Sequence, residues 1–413
     1  MSARFGFVSV VPPFVGAQQE ESVVAEYVTA LTAMGGQRVD AQTLDSAGPL
    51  LYLVATGGTE KVVMDLRARR AQVAPDEPVV LLAHPGNNSL PACLEVLARL
   101  HQDGTRGRIL YLRSAHDAQD LALVLGVVDD LVAHTALRGS RIGLIGDPSD
   151  WLVASTPAAD VVQGTWGPQV VPIAIDDLLA SIKGISSAAV APAAASLVSG
   201  ASGVAEPSGT DLADVARVHA ALRSMVDEYH LDALTVRCFD LVLELETTGC
   251  FGLSQLTDEG VIAGCEGDLV STVGLLWVRD LLGETPWMAN PAQMDQSANT
   301  LWLAHCTVPR TMVSSYRLRS HFESGQGVGI QGELPAGPVT LLRIGGTRME
   351  RLWLAEGEII ASGHAEDLCR TQAEVRLTSG HVSELLRESL GNHIVVVYGH
   401  HADRLRAWWE MFI

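Results

Sequence analysis

The chain has 413 residues, 47% of them hydrophobic and 18% charged, which is ample apolar material for roughly two to four buried cores and excludes a disordered polymer. Its net charge of −20 argues against a nucleic-acid partner or an anionic membrane surface, since both need a basic face. No clean apolar run reaches about 18 residues, so no membrane span is predicted.

The N-terminal segment MSARFGFVSVVPPFVG carries one strand-like run broken by Pro12 and Pro13, too short for the apolar core of a signal peptide. A cytoplasmic protein is expected. The six cysteines, Cys93, Cys238, Cys250, Cys265, Cys306 and Cys369, form no CxxC pair and read as buried free thiols of a reducing compartment. Up to residue 135, the short β-branched runs RFGFVSVV, PLLYLVAT, PVVLLAH and RILYLR alternate with helical patterns over 20–34 and 91–101. That alternation predicts a doubly wound parallel sheet, whose ligands sit at the carboxyl ends of the strands. HPGNNSLPA follows the strand PVVLLA directly. It is either a substrate or subunit-contact loop, with His84, Asn87, Asn88 and Ser89 as its polar groups, or a turn whose asparagines cap the next helix.

A second α/β unit is expected over 136–300. SRIGLIGDPSDWL predicts a strand, a Gly-Asp-Pro turn and a helix start, without the GxGxxG of a dinucleotide site. The Ala/Ser/Gly-rich stretch 184–210 is expected to be part helix and part mobile linker. From Asp211 to about His230, Val215, Val218, Leu222, Met225 and Tyr229 recur at helical spacing. ALTVRCF then reads as a strand, and GVIAGCEGDLVSTVGLLWVRDLLG as a short strand ending in Cys265-Glu266-Gly267-Asp268 before an amphipathic helix. From about residue 301, TLWLAHC, PVTLLRIGG, RLWLAEGEIIASG, AEVRLTS and NHIVVVYG predict a β-rich, barrel-like C-terminal domain closed by a terminal helix in ADRLRAWWEMF. The expected fold is therefore two doubly wound α/β domains, 1–135 and 136–300, followed by a β-rich domain over 301–413.

Polar clusters stand at several of these strand ends. Each has an ordinary structural reading. Glu266 complements a helix N-terminus and Asp268 is placed to be its N-cap. His305 reads as a hydrogen-bonded core histidine, His393 as a residue packed at a strand start, and His321 with Glu323 as a local surface pair. Arg370 is a buried ion-pair partner or an oxyanion clamp. Arg319, Arg343 and Arg370 are either ordinary ion pairs or recognition groups for an acidic sugar substituent.

Taken together, LAHCTVP, LRSHFESGQGVGIQGEL, GPVTLLRIGG, DLCRTQ and SLGNHIVVVYG resemble the fucose isomerase-like branch of the L-fucose/L-arabinose isomerase superfamily, and HPGNNSLPA and GLIGDPSDWL are similar to its N-terminal loops. The resemblance extends over approximately residues 5–410. It implies a homo-oligomer, a homotrimer or homohexamer, with sites near subunit boundaries. It also implies a divalent cation, usually Mn²⁺, and aldose–ketose isomerisation of a sugar or modified sugar through an enediol. On the matching positions, Glu266, His305 and His393 are the implied metal ligands, with Glu266 also carrying protons. The resemblance departs at the family's second metal carboxylate, where the window Trp287-Met288-Ala289-Asn290-Pro291 offers the neutral amide of Asn290. An amide ligates through oxygen but is no base near neutrality.

Asp295 and Asp268 are therefore further candidates for the catalytic carboxylate. Asn290, His321, Glu323 and Arg370, with the His84–Ser89 group, are candidates for substrate binding. Two other functions stay open: epimerase or carbon–carbon lyase chemistry on a sugar-like or phosphorylated substrate, and sugar binding without catalysis.

Overall fold

The computed structural model describes residues 4–13, 16–46 and 48–413; Met1–Ala3, Phe14 and Val15, part of the N-terminal segment read above, and Ala47 lie outside them. Contacts divide the chain into two compact units, Met1–Thr135 with Arg406–Ile413, and Ala136–Leu405.

In the first unit the β-branched runs form a parallel sheet. Its elements are β1 (Phe5–Val10), α1 (Ala17–Ala33), β2 (Gly36–Arg38), β3 (Leu50–Val54), α2 (Glu60–Arg70), β4 (Val79–Ala83), α3 (Ser89–Gln102), β5 (Gly107–Tyr111) and α4 (Ala118–Gly139). The strand order is β2-β1-β3-β4-β5. LLYLV and VVLLA are buried at every position because both faces of the inner strands β3 and β4 are covered, so these strands read as continuous apolar runs.

The second unit opens with another parallel sheet, of order β7-β6-β8-β9. Here β6 (Arg141–Ile145), α5 (Ala159–Thr165), β7 (Gln169–Ile173), α6 (Ile175–Gly184), α7 (Ser187–Gly200), α8 (Gly209–Tyr229), β8 (Ala233–Val236), α9 (Phe239–Leu245), α10 (Cys250–Asp258), β9 (Ile262–Cys265) and α11 (Leu269–Leu282) follow in turn. α8 begins on a reciprocal capping box between Ser208 and Asp211, and it buries Val215, Val218, Leu222 and Met225 as the spacing requires. No single helix among the described residues is long and apolar enough to cross a membrane.

Two local expectations fail. No helix starts at Trp151: the segment after β6 stays in turns until α5. Nor is the stretch after α7 a free linker. Ser202 and Ala205 donate backbone hydrogen bonds to Tyr316 and Leu318, and Val204 bridges to Leu318. Glu206 then accepts from the Arg319 guanidinium and the Ser320 amide, which hold its carboxyl down at about 2. An Ala/Ser/Gly composition permits disorder, but backbone pairing with a neighbouring strand removes it.

The remaining strands are β10 (Trp287–Asp295), β11 (Thr300–His305), β12 (Ser315–Arg319), β13 (Gly329–Glu333), β14 (Gly337–Gly345), β15 (Arg351–Ser362), β16 (Thr371–Ser379) and β17 (Ile394–Tyr398), with α12 (Ser383–Arg387) before β17 and α13 (Ala402–Phe412) after it. Six of them close an antiparallel barrel in the order β10-β11-β16-β15-β14-β17, while β12 and β13 pair as a separate hairpin. Leu301, Leu303, Leu341, Val375 and Val396 fill its core at alternate strand positions. The first barrel strand, β10, precedes residue 300. Its sequence WMANPAQMD masks it, because Pro291 sits where the register with β11 shifts, in a bulge where a missing N–H is tolerated.

Candidate active site

Three chain segments far apart in sequence meet within the second unit. β9 ends at Cys265, and Glu266 and Gly267 then both take left-handed backbone, with φ of 63° and 72°. The turn is tight because the segment after β6 passes against it: a Cβ on Gly267 would lie 2.7 Å from Pro148 Cα. A non-glycine residue in this region is strained, and Glu266 is held there by Ser149, whose amide donates to its carbonyl. Asp268 then caps α11, accepting from the Ser271 amide at 2.8 Å, as its position in the sequence predicts.

The Glu266 side chain meets two histidines. One oxygen of the carboxylate, one nitrogen of His305 at the end of β11 and one of His393 just before β17 lie within 4.8 Å of one another. Thr307 Oγ1 sits 2.8 Å from His305 Nδ1, leaving Nε2 for a ligand. His393 Nδ1 is 2.8 Å from Asp268 Oδ2, while its Nε2 is 3.6 Å from Glu266 Oε1 and has no hydrogen-bond partner although fully buried. The other Glu266 oxygen accepts from the Trp151 indole at 2.6 Å. Arg237, at the end of β8, braces that segment through the Pro148 carbonyl and Asp150.

Charge is balanced around this group. Burial alone would discharge His393, but Asp268 and Glu266 outweigh it and lift the imidazole to about 9. Burial and the neighbouring His393 push His305 down to about 4, so it is neutral. Burial opposes the ionised form of Glu266, yet His393 and the Trp151 indole hold it below the usual carboxylate range. Asp268 is wholly buried, and Arg343 and His393 hold it well below that range against its own desolvation. Arg343, on β14, is itself buried and bonds Asp268, Ser155, Ser271 and the Leu390 carbonyl.

A cavity of about 380 Å³ opens in front of the group. Glu266, His305, His321, Glu323 and Asn290 line it, together with Trp151, Phe239 and Phe322. Asn290 precedes the β10 bulge and Ala292 lies within it, and both face this space.

Other expected residues lie elsewhere. Asp295 stands roughly 15 Å further along β10 at the usual strand rise and caps its own turn at Ser297 and Ala298, so it does not serve as the nearby carboxylate. Asp268 is beneath the site rather than in it. Arg370 is buried and spent on the Ser320 carbonyl and Glu366, Arg319 on Glu206 and Glu366, and no Lys or Arg is among the described residues lining the cavity. His321 pairs with Ser324, not Glu323.

His84, Asn87, Asn88 and Ser89 belong to the first unit. The ring nitrogens of His84 lie against the Ala55 and Pro85 carbonyls, and Ser89 donates to Val54, so both hold the local turn. Asn87 and Asn88 are exposed in left-handed backbone, and Asn88 precedes α3 without a side-chain cap bond. The residues that sequence reasoning missed are Trp151 and Phe239. Their only signal was position, since each follows the carboxyl end of a parallel strand.

No protein-family model matches the chain. A sulfoquinovose isomerase from Alkalicoccus urumqiensis is 26% identical over 212 residues, 48% of this chain and 46% of the relative. Sulfoquinovose isomerases from Priestia aryabhattai and Priestia megaterium are each 26% identical over 194 residues, 45% of this chain and 43% of the relative. The chain thus matches a little under half the length of these relatives, and over that part it is similar to sulfoquinovose isomerases.

Proposed function

We propose that this chain is a divalent-metal-dependent aldose–ketose isomerase acting on a sugar, with Glu266, His305 and His393 as its metal ligands. The observation that carries the proposal is the fully buried His393 Nε2, which makes no hydrogen bond and faces a carboxylate and a second imidazole. A buried nitrogen without a partner is costly, and an ion at that point removes the penalty. The electrostatics that keep a proton on His393 favour a cation in the same place. One carboxylate and two imidazoles accept Mn²⁺ as they do other first-row divalent ions, and Mn²⁺ is the ion that the resemblance to fucose isomerase-like proteins implies. Similarity to sulfoquinovose isomerases supports the reaction type.

Bound there, the ion would supply Lewis-acid polarisation of the sugar carbonyl and its neighbouring oxygen. Glu266 is the carboxylate at the head of the cavity and the group suited to carry the proton between adjacent carbons. Glu323, also in the wall, is the next in line. Asn290 offers an amide donor and acceptor to a sugar hydroxyl. Trp151, Phe239 and Phe322 present apolar faces that hold the carbon side of a sugar and exclude water. Asp268 and Arg343 position His393 from below.

The test is isomerisation in heavy water with Mn²⁺, using sulfoquinovose and unsubstituted aldohexoses. The expected result is a metal-dependent ketose carrying solvent deuterium. An epimer or cleavage products would replace isomerisation with related enediolate chemistry. Binding of a sugar without exchange or product would remove the catalytic reading altogether.

The chain is further proposed to act as a homotrimer or homohexamer, by its resemblance to fucose isomerase-like proteins. Light scattering of a monomer at micromolar concentration would refute that assembly.

A further inference from the structure

Five of the six cysteines, Cys238, Cys250, Cys265, Cys306 and Cys369, line the same cavity as Glu266 and His305. All five are free thiols. They divide into two groups. Cys238 and Cys265 stand as a pair, their sulfurs 3.1 Å apart at the ends of neighbouring strands β8 and β9. Cys250, Cys306 and His321 form a second group, each offering one ligand atom within 4.8 Å of the others. The thiol of Cys369 interacts with that of Cys306, as does the thiol of Cys250.

We propose that Cys250, Cys306 and His321, with Cys369 as the fourth ligand, form a separate binding site for a thiophilic cation such as Zn²⁺ or Cd²⁺, whose occupation closes the sugar cavity. Three sulfurs and one imidazole are the donor set of a tetrahedral site, whose ligand atoms stand roughly 3.5–3.8 Å apart at ordinary metal–sulfur and metal–nitrogen lengths. The 4.8 Å limit leaves Cys250, Cys306 and His321 only a short inward movement, while Cys369, outside that group, has to swing in from its contact with Cys306.

The surroundings suit such a site. Ser324 Oγ lies 3.2 Å from His321 Nδ1, which orients the ring and leaves Nε2 toward the sulfurs. The Arg370 amide lies 3.4 Å from Cys306 Sγ and donates to it, stabilising a thiolate. Binding replaces the thiol protons, which pass to solvent, and changes no oxidation state. The donors are softer than the Glu266–His305–His393 set, so thiophilic ions are drawn to the sulfurs while Mn²⁺ is left to the carboxylate site. Because His305 and Cys306 are adjacent and both line the cavity, an ion on Cys306 stands in the wall a sugar must touch.

The probe is Cd²⁺ added to reduced, full-length protein. One equivalent is expected to produce the sulfur-to-cadmium charge-transfer absorption and a ¹¹³Cd resonance in the range of sulfur-dominated coordination. Both signals should persist in the Glu266→Gln and Cys238→Ser variants and be lost in Cys250→Ser. Absence of the absorption in the wild-type protein overturns the proposal without any variant having to fold. Its survival in Cys250→Ser with loss in Cys238→Ser would move the ion to the Cys238–Cys265 pair and overturn it equally. Where isomerisation is measurable, Cd²⁺ or Zn²⁺ at that stoichiometry should abolish turnover, reversibly on adding a chelating dithiol.

Discussion

Replacing Glu266 with Gln is expected to cost at least about 10²-fold in turnover, the low end of general-base effects. It should also weaken the binding of Mn²⁺. Gln keeps the volume and still accepts from the Trp151 indole, so the turn between β9 and α11 should survive. What is lost is the negative charge 3.6 Å from His393 Nε2 and any capacity to take a proton. The loss should be severe because the position of the second carboxylate holds Asn290, leaving no acid beside Glu266 to substitute. Steady-state rates and a metal titration on the folded variant decide it. Full activity with unchanged metal affinity would place the base elsewhere in the wall, at Glu323.

The second large effect is expected at Asp268, beneath the site. Asp268→Ala leaves Arg343 buried with its carboxylate partner gone, and breaking a buried pair from one side costs about 3–5 kcal/mol. It also removes the acceptor 2.8 Å from His393 Nδ1 and the cap of α11. Divalent-ion affinity should fall about 10–100-fold through the freed imidazole, even though Asp268 touches no substrate. Urea unfolding reads the first effect and a metal titration the second. Asp268→Asn, which keeps the cap acceptor, should recover part of the stability and little of the metal affinity. A variant as stable as the parent would mean that Arg343 finds another anion.

These two residues show what could be read from the chain in advance. Glu266 and Asp268 stand together in GCEGDL, and the strand-to-helix change there marks both the N-cap and the carboxyl end of a parallel strand. Asp295 is a further candidate in the sequence because it lies close to Asn290, and sequence separation does not say which end of a strand faces the site. The β10 bulge and rise along the strand carry it away from Asn290. The arginines are similar: Arg343 and Arg370 are charged wherever they lie, but their pairing with Asp268 and Glu366 is a fact of packing.

By itself the sequence determined the periodic part of this protein: the parallel sheets, the amphipathic helix α8, the strands of the barrel other than β10 and the strand ends at which its polar clusters stand. Apolar alternation and turn residues act over a few positions, so local order is enough to specify them. Only the tertiary structure decided that Glu266, His305 and His393 gather into one cluster, that Trp151 reaches Glu266, and that five scattered cysteines line the cavity in front of it. Those meetings depend on barrel closure and on contacts between distant segments, 266 and 393 being 127 positions apart, and no local pattern encodes them.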